Sequence, residues 1–150
     1  MKIIFATSNE NKVKEVKEIL PKHIAIVSLK EMGYTEDIEE TGSTLEENSL
    51  LKAQTIFDKY KLPVLAEDTG LEVDALNGEP GVYSARYAGE KSDDKANNAK
   101  LLQQLEAIVD EKRQAAFHCA MALAWPDGRC ETYDGQVSGL IMKIDQINNR

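Results

Sequence analysis

Residues 64–70 read Val64-Leu65-Ala66-Glu67-Asp68-Thr69-Gly70, a short apolar run followed at once by two carboxylates. The apolar part predicts a buried strand, and the acidic pair is then expected where the chain leaves the sheet. Carboxylate oxygens are the ligands that Mg²⁺ prefers in proteins. The stretch therefore predicts a magnesium site at the end of a strand.

A second strand, which is also followed by polar residues, is predicted at the start of the chain. The apolar residues 2–6 lead into a polar turn and then into a helix expected from about Glu10 to Leu20. The first turn of such a helix exposes backbone N–H groups and the positive end of the helix dipole, which suits a phosphate group. The alternative is an ordinary turn in which Thr7, Ser8 or Asn9 caps the helix, and the local sequence leaves both interpretations open.

The segment from Thr44 to about Tyr60 has the pattern of a capped amphipathic helix. Thr44 is followed three residues later by Glu47, which is the arrangement of a capping box. The apolar side is expected to consist of Leu50, Ala53, Phe57 and Tyr60. Glu40 precedes the positive end of this helix, a favourable position from which a carboxylate reaches a metal. Lys52 follows Asn48 by one turn and is either a phosphate ligand or a solvated lysine paired with Glu46, Glu47 or Asn48.

The remaining pattern predicts an α/β fold with a mixed central β-sheet flanked by helices. A strand is expected at residues 24–27 and a helix at 93–107. Residues 114–125 alternate between larger side chains, among them Phe117, and a face made mostly of alanine, which predicts a central strand buried on both sides. The turn at residues 126–129 then returns the chain as a last strand at 130–137.

Composition limits the functions that this chain can have. A net charge of −8 argues against a protein that holds DNA or RNA through its phosphates, because that mode of binding needs a basic face. The same negative charge disfavours binding of a nucleoside triphosphate, unless a divalent cation bridges the acidic side chains and the phosphate oxygens. We expect a cytoplasmic protein without a membrane segment, because no apolar run has the length of a membrane span or a signal-peptide core. A length of 150 residues predicts a single domain.

Four motifs, in this order and spacing, resemble the inosine triphosphate pyrophosphatase family. The resemblance runs from Met1 to about Gly139, and its motifs are Thr7 to Lys12, Glu39 to Gly42, Glu47-Asn48 with Lys52-Ala53, and Glu67 to Gly70 continuing to Ser84-Ala85-Arg86-Tyr87. It implies Mg²⁺-dependent hydrolysis of non-standard purine nucleoside triphosphates such as ITP, dITP and XTP to the monophosphate and pyrophosphate, a reaction that cleanses the nucleotide pool. It also implies a homodimer.

The resemblance implies a role for each matched residue. Glu40 and Asp68 hold Mg²⁺, and Asp68 also orients or deprotonates the attacking water. The implied substrate-binding residues are Thr7, Ser8, Asn9, Glu10, Asn11, Lys12 and Thr69. Of these, Thr7, Ser8, Asn9, Lys12 and Thr69 are the ones implied to bind the phosphates.

The sequence departs from the family after Gly139. The family continues with a glycine-rich loop and a later Ser-His-Arg segment, whereas residues 140–150 look unlike it. We therefore expect one pyrophosphatase domain over residues 1–150 that is truncated or altered after about residue 139. The alternative hypothesis is a nucleotide-binding domain with little or no turnover, because the segment that recognises the base is missing.

Overall fold

The structure is a computed structural model that describes residues 1–89 and 93–142. Its helices and strands, in chain order, are β1 (Lys2–Phe5), α1 (Glu10–Ile19), β2 (Ala25–Ser28), α2 (Leu45–Tyr60), β3 (Val64–Val73), β4 (Pro80–Gly81), α3 (Asp94–Gln104), β5 (Gln114–Ala124) and β6 (Cys130–Leu140). Short 3-10 turns lie at Asp74–Leu76, Ser84–Arg86 and Asp110–Lys112. Of the tail expected to be altered, residues 143–150 lie outside the described residues.

The strands of these described residues form one six-stranded sheet. Its order is β2-β1-β3-β5-β6, with β4 paired to β3. β1 runs parallel to both β2 and β3, whereas β4 is antiparallel to β3. The predicted mixed α/β sheet is therefore confirmed. None of the helices in the described ranges is both long and apolar enough to cross a membrane.

The chain divides into two compact units. The first consists of Met1–Asp68 and Ala120–Asp134, and the second of Thr69–Cys119 and the residues from Gly135 onward. Within the second unit, Val73, Leu101, Leu105 and Ala115 form the buried core. The expectation of a single domain over residues 1–150 stays a prediction.

In the first unit, β3 carries a helix on each of its two faces. Val64 and Ala66 belong to a buried apolar cluster with Ile56 of α2. Leu65, which lies between them in sequence, packs in a different cluster with Val13 of α1. Because successive side chains of a strand point to opposite faces, α2 covers one face of β3 and α1 covers the other. The same alternation determines the faces of β3 to which Glu67 and Asp68 point.

The prediction that the strand ends before Glu67 was wrong. β3 continues to Val73, and both carboxylates lie within it and are buried. A charged side chain is buried only when partners compensate for the lost water, and here each carboxylate has a lysine near it. The acidic pair is therefore part of the sheet and not of a loop beyond it.

Two predicted core positions are exposed. Leu50 of α2 is 37% exposed, and Phe117 of β5 is 58% exposed. The alanine face of β5 is confirmed over its second half, where Ala120, Ala122 and Ala124 are buried. Periodicity identified these elements correctly, but Leu50 lies beside the buried stripe of α2 and Phe117 lies in the less buried first half of β5.

Candidate functional site

The first turn of α2 is fixed by the predicted cap. The Thr44 hydroxyl oxygen accepts a hydrogen bond from the Glu47 N–H at 3.1 Å. The Glu47 carboxylate in turn accepts one from the Ser43 N–H at 2.7 Å, and the bonds from Ser43 lower the pKa of Glu47. These contacts settle where the helix begins. The side chains one and two turns later are thereby directed toward β3.

Asn48 connects the loop before α2 to Asp68. Its side chain is buried, and its Oδ1 accepts a hydrogen bond from the Gly42 N–H at 2.7 Å. Its amide also hydrogen-bonds the Asp68 carboxyl group. The loop approaches so closely that a Cβ atom on Gly42 would lie 2.6 Å from Asn48 Oδ1 and 2.7 Å from the Glu47 Cβ. Only glycine therefore fits at position 42.

Lys52 lies at the centre of the site. It is only 9% exposed, and its Nζ is 3.2 Å from Glu40 Oε1. The same ammonium group donates a hydrogen bond of 2.5 Å to the backbone carbonyl of Glu67. Of the two alternatives for this residue, the solvated lysine is therefore wrong, and a phosphate contact stays a prediction. The ammonium group joins the loop that carries Glu40 to the strand that carries Asp68.

Asp68 is buried on the same face of β3 as Val64 and Ala66, toward α2. Its Oδ2 has no hydrogen-bond partner among the residues that the structure describes. Burial raises the pKa of Asp68 from its ordinary 3.8 to about 6. The positive charge of Lys52 acts in the opposite direction, and the negative charge of Glu40 adds to the rise. Glu40, Lys52 and Asp68 thus form one electrostatic cluster.

Glu67 points to the other face of β3, where α1 lies. Its carboxylate forms an ion pair with Lys12 in the first turn of α1. The turn after β1 and the acidic pair of β3, the two segments that the sequence singled out, are therefore in direct contact. Because Glu67 and Asp68 are neighbours in a strand, they are partnered by lysines from different helices.

The turn at residues 7–12 is capped by its own side chains. Asn9 Oδ1 accepts hydrogen bonds from the Asn11 N–H at 3.0 Å and the Lys12 N–H at 3.2 Å, and the Thr7 hydroxyl accepts one from the Asn9 N–H at 3.1 Å. The capping interpretation is therefore confirmed for Asn9. The backbone N–H groups of Asn11 and Lys12, which were expected to be free for phosphate, are engaged by this cap.

The other predicted substrate-binding residues differ in their surroundings. The side chains of Ser8 and Glu10 are exposed beside the capped turn. Thr69 follows Asp68 on β3, is half-buried and belongs to the second unit.

Asn48 and Lys52 are the site residues that were not included in the predicted set. The buried positions of α2 are Leu45, Asn48, Ser49, Lys52, Ala53 and Ile56, which is a single helical stripe. Asn48 and Lys52 therefore lie on the buried face of α2, which is not the face predicted from Leu50, Phe57 and Tyr60. Their place on one helical stripe with Leu45, Ala53 and Ile56 is the signal in the sequence that could have found them.

A parallel strand pair covered by two helices defines the fold as α/β, and its candidate site combines the buried carboxyl group of Asp68 on β3 with the buried Lys52 of α2. The chain belongs to the Ham1 family, whose model matches residues 3–149. This match confirms the resemblance that the sequence motifs carried.

Individual relatives agree with this assignment. The chain is 50% identical over 139 residues to the dITP/XTP pyrophosphatase of Bacillus subtilis (strain 168), a match that covers 92% of this chain and 70% of that protein. It is 50% identical over 148 residues to the protein of the same name from Bacillus licheniformis, with 98% and 76% covered. Among solved structures, the Staphylococcus aureus Ham1 protein is similar with a TM-score of 0.84 and 42% identity, over 95% of this chain and 73% of that one. A HAM1 protein from Coxiella burnetii is similar with a TM-score of 0.85 and 38% identity, over 96% and 74%.

Proposed function

We propose that this protein hydrolyses non-standard purine nucleoside triphosphates, among them ITP, dITP and XTP, to the monophosphate and pyrophosphate with Mg²⁺ as cofactor. Relatives at 50% identity that are named dITP/XTP pyrophosphatase support the substrate class. The observation that carries the proposal is the buried Asp68, which interacts with Asn48, Lys52 and Glu40. A carboxylate in this environment combines two properties that hydrolysis needs, a raised pKa and an oxygen available to a cation.

Glu40 and Asp68 are the residues proposed to hold the metal. Both supply carboxylate oxygens, which suit a hard cation such as Mg²⁺. The buried Oδ2 of Asp68 lacks a partner among the described residues, and buried polar atoms are normally satisfied. The set of donors therefore fits a divalent cation. When bound, the ion supplies positive charge to the phosphate oxygens on which negative charge accumulates.

Asp68 is proposed as the catalytic base. It accepts a proton from the attacking water while the water oxygen forms a bond to the α-phosphorus, and the bond from that phosphorus to the oxygen of the leaving pyrophosphate breaks. A pKa of about 6 makes Asp68 a stronger base than an ordinary aspartate and still leaves it mostly ionised at neutral pH. The hydrogen bond from Asn48 orients the carboxyl group for this transfer.

The residues proposed to bind the phosphates lie mainly in the turn at residues 7–12, with Thr69 as a further contact. Lys12 supplies positive charge at this turn, and its Nζ is paired with the Glu67 carboxylate. Ser8 supplies an exposed hydroxyl group. Since the chain carries a net charge of −8, a triphosphate needs such local cations and the metal in order to bind.

The proposal extends to the cellular setting of the enzyme. Its partner is a nucleoside triphosphate and not a nucleic acid, as the net charge of −8 supports. We further propose a cytoplasmic homodimer, for which sedimentation equilibrium of the purified protein is the direct measurement. A sedimenting mass of one chain at assay concentration would contradict the dimer.

The decisive experiment measures release of pyrophosphate from ITP in the presence of Mg²⁺. We expect turnover by the parent protein and a loss of kcat of roughly 10²- to 10⁴-fold in Asp68→Asn, because the base is replaced by a neutral isostere. The matched control is Asp58→Asn, which changes an exposed aspartate of α2 and is expected to leave kcat unchanged. Undiminished turnover by Asp68→Asn would remove that residue from its proposed role.

The same experiment separates the alternative function. If the parent protein releases no pyrophosphate but binds ITP in calorimetry, the chain is a nucleotide-binding domain without turnover. Binding that also vanishes in Lys12→Met would then still assign the nucleotide to the turn at residues 7–12.

A further inference from the structure

We propose that the Lys52 ammonium group is the built-in counter-cation of this site, which compensates Glu40 and Asp68 in the metal-free protein and is replaced in that role by a divalent cation. The inference rests on the proposed function, because it takes Glu40 and Asp68 as the metal ligands. It adds a statement about the metal-free state, namely that the protein keeps its own cation where the cofactor acts.

The contacts of Lys52 place its charge beside Glu40 and beside the backbone of the residue that precedes Asp68. Nζ lies 3.2 Å from Glu40 Oε1 and 2.5 Å from the carbonyl oxygen of Glu67, the residue that directly precedes Asp68. The side chain of Lys52 reaches this position from a buried helical site, where only 11% of it is exposed. The ammonium group is therefore held by the site and is not a surface charge that happens to lie nearby.

The position of Lys52 determines how the negative charges of Glu40 and Asp68 are balanced. Glu40 and Asp68 bring two negative charges, and Lys52 brings one positive charge that acts on both of them. Lys12 does not share this task, because it pairs with Glu67 on the other face of β3. A divalent cation bound by Glu40 and Asp68 balances both carboxylates by itself and is repelled by the lysine. Lys52 and the metal therefore compete, and Mg²⁺ alone binds less tightly than two acidic ligands would otherwise allow.

The test measures thermal unfolding and Mg²⁺ binding in the absence of nucleotide. It compares the parent protein with Lys52→Met and with the control Lys59→Met, which changes an exposed lysine of the same helix. Without metal, we expect Lys52→Met to lower Tm by roughly 5–10 °C, because it leaves buried carboxylates uncompensated. Mg²⁺ is expected to restore most of that loss and to bind Lys52→Met at least about tenfold more tightly than the parent in calorimetry. Lys59→Met is expected to behave as the parent protein.

Equal Mg²⁺ affinities for the parent and Lys52→Met would overturn the proposal, even if the variant has a lower Tm, because a merely structural lysine would lower Tm without affecting the metal. If Lys52→Met does not fold at any Mg²⁺ concentration, Lys52→Arg decides the question. This variant keeps the charge, so we expect its Mg²⁺ affinity to stay within about twofold of the parent value. Binding that is much tighter would contradict the proposal.

Failure of the underlying function gives a different result. If Glu40→Gln and Asp68→Asn bind Mg²⁺ as tightly as the parent does, these carboxylates are not the metal ligands, whatever the response of Lys52→Met. If both variants lose Mg²⁺ binding while Lys52→Met binds as the parent does, the metal site is correct and only the counter-cation is rejected.

Discussion

The first turns of α1 and α2 begin with the same type of cap and serve different purposes. In α1, Asn9 accepts hydrogen bonds from the N–H groups of Asn11 and Lys12, and residues 8–11 are exposed. In α2, Thr44 forms the cap, and Asn48 and Lys52 then extend from the helix into the interior. Capping thus begins a helix in both places, but only α2 uses the following turns to bring polar side chains against β3.

The starts of α1 and α2 therefore contribute to the candidate site in different ways. At α1 the cap engages the N–H groups of Asn11 and Lys12, and the Lys12 side chain pairs with Glu67. At α2 the polar side chains Asn48 and Lys52 lie on the buried face of the helix, where each has defined partners. Variants of the two regions are therefore expected to differ in size of effect, from several kcal/mol at α2 to about one at α1.

The largest effect on stability is expected for Asn48→Ala. The substitution removes the acceptor of the Gly42 N–H and the donor to Asp68, and it leaves a cavity. We expect the free energy of unfolding to fall by roughly 4 kcal/mol in urea denaturation. Gln54→Ala, at an exposed position of the same helix, is expected to change it by less than about 0.5 kcal/mol. Similar values for the two variants would contradict the importance of the buried face.

The next effect is a gain in stability in Asp68→Asn, measured without metal. The pKa of Asp68 is about 6 in the folded protein against an ordinary 3.8, so the folded state holds the proton more tightly than the unfolded state. Ionisation therefore destabilises the fold, and the penalty is complete above pH 6 and absent below about pH 4. At pH 8 we expect a stabilisation of about 3 kcal/mol in urea denaturation.

This gain must disappear in the acidic range if its cause is ionisation. We expect the difference between Asp68→Asn and the parent to shrink steadily as the pH falls from 6 toward 4. A difference that is independent of pH would assign the effect to packing and not to charge.

A smaller effect is expected at the start of α1, where Lys12→Met tests the link between the two regions. Loss of this cation is expected to raise KM for ITP about tenfold, equal to about 1.4 kcal/mol, with a lesser change in kcat. The control is Lys14→Met, an exposed position on the same helix. If KM stays constant in Lys12→Met, the phosphates of the substrate are bound elsewhere.

The smallest effect is expected for Asn9→Ala, which removes the cap of α1. Loss of an exposed cap lowers the free energy of unfolding by about 1 kcal/mol. A loss as large as that of Asn48→Ala, measured under the same conditions, would remove the contrast between the two helix starts.

The elements that depend on local rules could be predicted from the sequence. The α2 cap at Thr44 follows from the spacing of Thr44 and Glu47, and α1 follows from a clear apolar period after a polar turn. The mixed sheet follows from the order of these elements. The two helix starts are decided by residues that are close together in the chain.

The features that depend on distant partners could not be predicted in this way. β3 was expected to end before its acidic pair because charged residues rarely continue a buried strand. It continues because Lys12 and Lys52, from two different helices, compensate Glu67 and Asp68. The burial of Lys52 was missed for the same reason, since its partner Glu40 lies in an irregular segment whose path the sequence does not specify.

Gly42 imposes a steric constraint on the site. Its neighbours leave no space for even a methyl group, since the added carbon would lie 2.6 Å from Asn48 Oδ1. Position 42 lies in an irregular loop, where most proteins tolerate variation. A saturation library at this position is therefore expected to yield stably folded clones with glycine alone, so the smallest residue of the loop is among the least replaceable.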